Sequence, residues 1–122
     1  MLSNGLDGLA WLLGGLVILL VGSRTLTKKN PKRTIERIIK RSKYKPYLPY
    51  ILAQSKLETG NFTSRLALDE KNLFGMGVPS KRKSLRIGEY LAPNGERFSV
   101  YKNWSDSVND YLLYLEEFNF PT

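Results

Sequence analysis

The chain has 122 residues, a formal net charge of +8, and neither cysteine nor histidine. That length allows one compact domain with a modest core. The missing residue types exclude disulfides, Cys/His zinc sites, Ser-His-Asp triads and Cys-His nucleophile pairs. Any hydrolytic chemistry must rest on carboxylates, hydroxyls, lysines or tyrosines, and no metal or cofactor is expected. The positive charge favours anionic partners such as phospholipid headgroups, wall polymers or nucleic acid, and solubility beside a membrane explains it equally well.

Residues 8–22, GLAWLLGGLVILLVG, carry no charge and are bounded by Asp7 and Arg24. With Leu2, Leu6 and Ser23 the run approaches the ~17-residue minimum of a membrane span. No Lys or Arg precedes it, and no Ala-x-Ala cleavage pattern follows. The expectation is therefore an uncleaved N-terminal transmembrane anchor over residues 1–23. Trp11 suits an interfacial ring, and Gly14 and Gly15 are ordinary membrane-helix composition.

Residues 24–45 hold ten Lys or Arg and one acid, Glu36. Ile35, Ile38 and Ile39 have helical spacing within this stretch, and Pro31 can open the helix. A basic amphipathic juxtamembrane segment is expected. Its isoleucines either pack on the following domain or touch lipid, and its charges lie against anionic headgroups. With no basic residue before the anchor, the positive-inside rule keeps the C-terminal part on the cytoplasmic side.

The remaining residues, 46–122, read as an α+β domain. A helix is expected over 47–59, opened by Pro46 and Pro49 and stopped by Gly60. Residues 72–80 are loop-like. Two strands, 85–91 and 98–101, flank Pro93-Asn94-Gly95, a strong hairpin signal. A last helix spans about 105–118, capped by Asn103 or Ser105, with an apolar stripe of Val108, Tyr111, Leu112, Leu115 and Phe118.

Two carboxylates stand out. Ile51, Ser55 and Glu58 share one helical stripe, which puts Glu58 in line with an apolar face. A half-buried Glu keeps its proton longer, as a glycosidase acid requires; the plain alternative is a Glu that merely ends the helix. If Asn94-Gly95 is a two-residue turn, Leu91 pairs with Phe98 and Glu89 with Val100. Glu89 then shares a face with Ile87, Leu91, Phe98 and Val100, unexpected for an acid unless it looks into a cleft. Glu96, at the turn, is expected to be solvated only.

Four segments complete the picture: AQSKLETGNF at 53–62, NLFGM at 72–76, GEY at 88–90 and FSVYKNWSDSVNDYLLYL at 98–115. Together, in this order, they resemble the glucosaminidase family of peptidoglycan hydrolases (glycoside hydrolase family 73). The resemblance implies a lysozyme-like, mostly helical fold with a small β-hairpin lobe. It implies endo-β-N-acetylglucosaminidase cleavage of the peptidoglycan strand. It places the acid on Glu58 and a second acid on Glu89. Tyr101 and Asp110 match the family's strand tyrosine and last-helix Asp, and Asn72, Phe74 and Gly75 belong to the segment that shapes the cleft floor. From the residues alone, Tyr101 either meets substrate, orients an acid or packs the hairpin, and Asp110 reads as a surface or capping acid.

Asn61-Phe62 stands where many relatives have Trp-Gly. Relatives usually continue into further helices past the Asp-Tyr helix, so a minimal or truncated domain is expected. Joined to an anchor, it suits a virion-associated lytic protein of a membrane-containing phage, in host or virion membrane. Three other readings stay open. One is a lytic transglycosylase using one Glu. Another is a structural membrane protein whose basic segment holds lipid or, less favourably, nucleic acid. The third is a glycan-binding module with a dead site.

Overall fold

The computed structural model describes residues 30–118. The expected anchor over 1–23 lies outside them. Among the described residues no helix is long and apolar enough to cross a membrane.

Helix α1, Pro31–Lys40, begins at its proline, whose missing N–H costs nothing at a first helical position. Ile35 and Ile39 are fully buried in the core and Ile38 packs against it. The isoleucines thus serve packing, and the lipid-contact alternative does not hold for Ile35 and Ile39. Tyr44 closes the same layer: its hydroxyl donates to Glu116 Oε2 at 2.8 Å, and Lys43 pairs with that carboxylate at 2.6 Å. Burial, reinforced by Glu116, pushes the Tyr44 phenol up to about 12. The compact unit therefore begins at Pro31, earlier than the expected domain start at 46, because α1 supplies two fully buried side chains.

A 3-10 turn, Lys45–Tyr47, runs into α2, Leu48–Glu58. Ile51 and Ser55 point inward, and α1 and α2 pack together. The chain leaves α2 through three consecutive left-handed residues, Gly60, Asn61 and Phe62, with φ of 58°, 58° and 68°. Asn61 tolerates this region better than most residues, and Phe62 costs roughly 1–2 kcal/mol there. Thr59 holds the turn, donating to Ser55 O at 2.7 Å and accepting from the Phe62 amide at 2.9 Å. The result delivers the Phe62 ring to the core. A short helix α3, Arg65–Leu68, capped by Ser64, follows; its four residues carry too little periodicity to be read from sequence.

Strands β1, Gly88–Leu91, and β2, Arg97–Val100, form an antiparallel hairpin. Its register differs from expectation. Glu89 pairs with Ser99 and Leu91 with Arg97, not with Val100 and Phe98. The connection has three residues, Pro93-Asn94-Gly95, closed by the Ala92 amide on Glu96 O at 2.8 Å, with Gly95 left-handed at φ 92°. One residue more than a two-residue turn moves every β1 side chain against a different partner. The hairpin's other edge meets the loop before it: Ser99 N donates to Met76 O and Ser99 Oγ to Gly77 O, both at 2.9 Å.

Helix α4, Trp104–Glu117, is capped by Asn103, whose side chain accepts from the Asp106 amide at 2.8 Å. Val108, Tyr111 and Leu115 enter the core and pack across α1, with Leu112 partly buried beside them. Phe118, expected to end this stripe, is exposed.

Candidate active site

Glu58 is the last residue of α2. The inward stripe ends at Ser55, so Glu58 is solvent-facing and not half-buried as expected. No hydrogen bond or ion pair ties its carboxylate to another described residue. Beside it runs the 72–76 segment. Gly75 is left-handed (φ 64°), and a Cβ placed there would stand 2.7 Å from Glu58 Oε1. Only a residue without a side chain lets the backbone approach the carboxylate so closely.

The segment is held rigid from below. Ser55 Oγ donates to Leu73 O. Asn72 is fully buried and all its polar capacity is used within the fold. Its Nδ2 donates to Met76 O at 2.9 Å and Ser99 O at 2.8 Å, and its Oδ1 accepts from the Phe74 and Met76 amides. One amide side chain thereby bonds the Glu58 side of the cleft to the hairpin. Phe74 stacks on Tyr111 with centroids 4.0 Å apart and planes 6° from parallel. These contacts place Asn72 and Phe74 under the site as supports, with Gly75 at its surface.

Glu89 sits differently. The three-residue turn puts it opposite Ser99 and diagonal to Arg97, on an outward face where Ile87 and Leu91 are also exposed. Arg97 bonds Oε1 and Arg86 approaches Oε2 at 3.5 Å. The expected apolar setting is replaced by two guanidiniums. Where Glu58 is uncommitted, both oxygens of Glu89 are engaged.

Asp110 is neither a surface nor a capping acid. It is fully buried, and four groups converge on it. Arg82 donates from both terminal nitrogens, at 3.0 and 3.2 Å; Ser84 Oγ at 3.1 Å and the Leu85 amide at 3.0 Å add two more bonds; Tyr101 donates its hydroxyl. Burial opposes ionisation, but the bonds from Arg82, Tyr101 and Leu85 outweigh it and hold the carboxyl below its ordinary value of 3.8. Burial first, and then Asp110, push the Tyr101 phenol well above its usual range. Tyr101 and Asp110 are therefore brought together, but as a buried clasp that fixes the 82–85 segment. Arg82 is the partner that sequence reasoning missed: within Lys81-Arg82-Lys83 it looks like one more solvated cation, and only the fold shows it buried.

The arrangement offers one carboxyl group without a side-chain partner among the described residues, beside Gly75, and a second, Glu89, bonded by Arg86 and Arg97. A groove of about 550 Å³ opens beside Gly75, walled by Gln54 of α2, residues 76–82 and the outer face of α4. A family model described as Glucosaminidase: Mannosyl-glycoprotein endo-beta-N-acetylglucosaminidase matches residues 33–120. No curated protein and no solved structure matches the chain.

Proposed function

The chain belongs to the glucosaminidase family of glycoside hydrolases, and we propose that it cleaves β-1,4 bonds of the peptidoglycan glycan strand as an endo-β-N-acetylglucosaminidase, with Glu58 as general acid. The observation that carries the assignment of the acid is the unpaired Glu58 carboxylate lying against the side-chain-free Gly75. A proton leaves Glu58 for the glycosidic oxygen as the C–O bond breaks, and water completes the sugar that bore the oxocarbenium charge. Glu89 activates that water once substrate displaces Arg97 from its oxygen.

The engagement of Glu89 by Arg86 and Arg97 favours one second reading, in which Glu58 acts alone. A lytic transglycosylase works this way, closing an anhydro ring without water. Mass analysis of products from purified wall separates the two. A new reducing-end N-acetylglucosamine supports the hydrolase, an anhydro sugar supports the transglycosylase, and no glycan product removes both.

We further propose that the domain works tethered to a lipid bilayer through residues 1–23, with the cationic residues 24–45 near anionic headgroups. The uncharged run at 8–22 and the ten basic residues after it support this reading. A virion membrane of a phage fits an enzyme whose anchor charge faces the domain inward, since host membrane drawn into a particle turns that face outward.

A further inference from the structure

Four aromatic rings run in contact from beneath Gly75 to the surface of α4. Phe74 stacks on Tyr111, Tyr111 leads to Tyr114 with centroids 6.1 Å apart, and Tyr114 meets Phe118 edge-on at 4.9 Å. Exposure climbs along the series, from 5% at Phe74 and Tyr111 to 38% at Tyr114 and 65% at Phe118. Core packing accounts for the first two rings and leaves the outer two unexplained. Both border the groove beside Gly75. Its volume lies within the roughly 300–1,000 Å³ of small-molecule sites.

A polar group shares this wall. The Tyr111 hydroxyl donates to Gln54 Oε1 at 2.9 Å. That bond fixes the amide and leaves Nε2, whose two hydrogens meet no acceptor among the described residues. Gln54 lies one helical turn before Glu58, so donor and acid stand on the same side of α2.

We propose that this groove is a saccharide subsite in which the exposed faces of Tyr114 and Phe118 take the apolar face of a pyranose ring and Gln54 Nε2 donates to its N-acetyl carbonyl. Aromatic rings suit the C–H face of a sugar, and an oriented amide donor distinguishes an acetamido group from a free amine. The glycan then reaches Glu58 along α4, on the helical side of the molecule. The proposal rests on the glycan-cleaving reading for its class of ligand.

The test uses the full chain in detergent, with Glu58→Gln to prevent turnover and the β-1,4-linked N-acetylglucosamine tetramer as probe. Calorimetry should show binding that Tyr114→Ala and Phe118→Ala each weaken by about three- to tenfold. Gln54→Leu should weaken binding of this tetramer but leave the de-N-acetylated tetramer unaffected. Unchanged affinity in folded Tyr114→Ala and Phe118→Ala proteins overturns the subsite, as does absence of binding. Wall lysis by the wild-type chain, measured in parallel, keeps the two readings apart: lysis without a binding effect sinks the subsite alone, and loss of both sinks the glycosidase reading as well.

Discussion

Gly75 and Glu58 occupy adjoining space that no side chain at position 75 can share: its Cβ would lie 2.7 Å from Oε1, 3.5 Å from Cδ and 3.8 Å from Cβ of Glu58. The backbone there is also left-handed, a conformation that glycine adopts without penalty. The position of the acid and the conformation of the neighbouring segment are thus one constraint.

Gly75→Ala should lower lytic activity by at least about tenfold while costing only about 1–2 kcal/mol of stability. The methyl must either push the Glu58 carboxylate aside or shift the 72–76 backbone that Asn72 holds. Activity per folded molecule, with thermal unfolding measured alongside, checks this. A variant as active as wild type would show that the Glu58 geometry is not critical.

Glu58→Gln should abolish wall lysis and leave the fold intact, since the change is nearly isosteric and removes only the transferable proton. Glu89→Gln should reduce activity, and Glu96→Gln should leave it unchanged, because Glu96 bonds only within its own turn. Zymography of the three variants ranks them. Full activity in Glu89→Gln would leave the single-carboxylate mechanism.

Asp110 gives the fold an acid limit. Its folded value lies below the ordinary 3.8, so its contribution to stability is complete above that value and is lost as pH falls through the folded value. Unfolding free energy should drop steeply below about pH 4. Asp110→Asn should flatten that drop and cost up to about 3–5 kcal/mol at neutral pH, because the buried Arg82 loses its two close bonds to a carboxylate and keeps the more distant, half-exposed Glu117 at 3.7 Å. Denaturant titrations across pH measure both effects. An acid limb identical in variant and wild type would assign the loss to other carboxylates.

The anchor reading predicts orientation. Ten basic residues follow the uncharged run and none precede it. Made alone in bacteria, the full chain should keep residues 46–122 on the cytoplasmic side. Protease added to intact spheroplasts should spare them. Digestion from outside would point to an ordinary exported, anchored enzyme.

What the sequence revealed and what it hid follow from range. The buried pair Ile35 and Ile39 was legible because helical spacing is local, as was the place of Glu58 at a helix end, two residues before Gly60. The hairpin was legible in kind but not in register. Asn94-Gly95 signals a turn without saying whether Pro93 belongs to it, and that one residue decides which partners Glu89 meets. The clasp on Asp110 was invisible, since Arg82 lies 28 positions away and Tyr101 nine positions away, just past the end of β2. The free Gln54 amide was equally hidden, because its orientation depends on Tyr111, 57 positions distant.

The burial of Ile35 and Ile39 also sets how much of the chain the folded domain needs at its N-terminal side. A trypsin-like cut after Arg24, Lys28 or Lys29 would release a piece that still carries both isoleucines. A cut after Lys40 or Arg41 would strip them away, leaving Val108, Leu115 and their neighbours open to water. Basic residues before Ile35 and after Ile39 therefore have opposite outcomes, a fragment with its core intact in the first case and one with an opened core in the second.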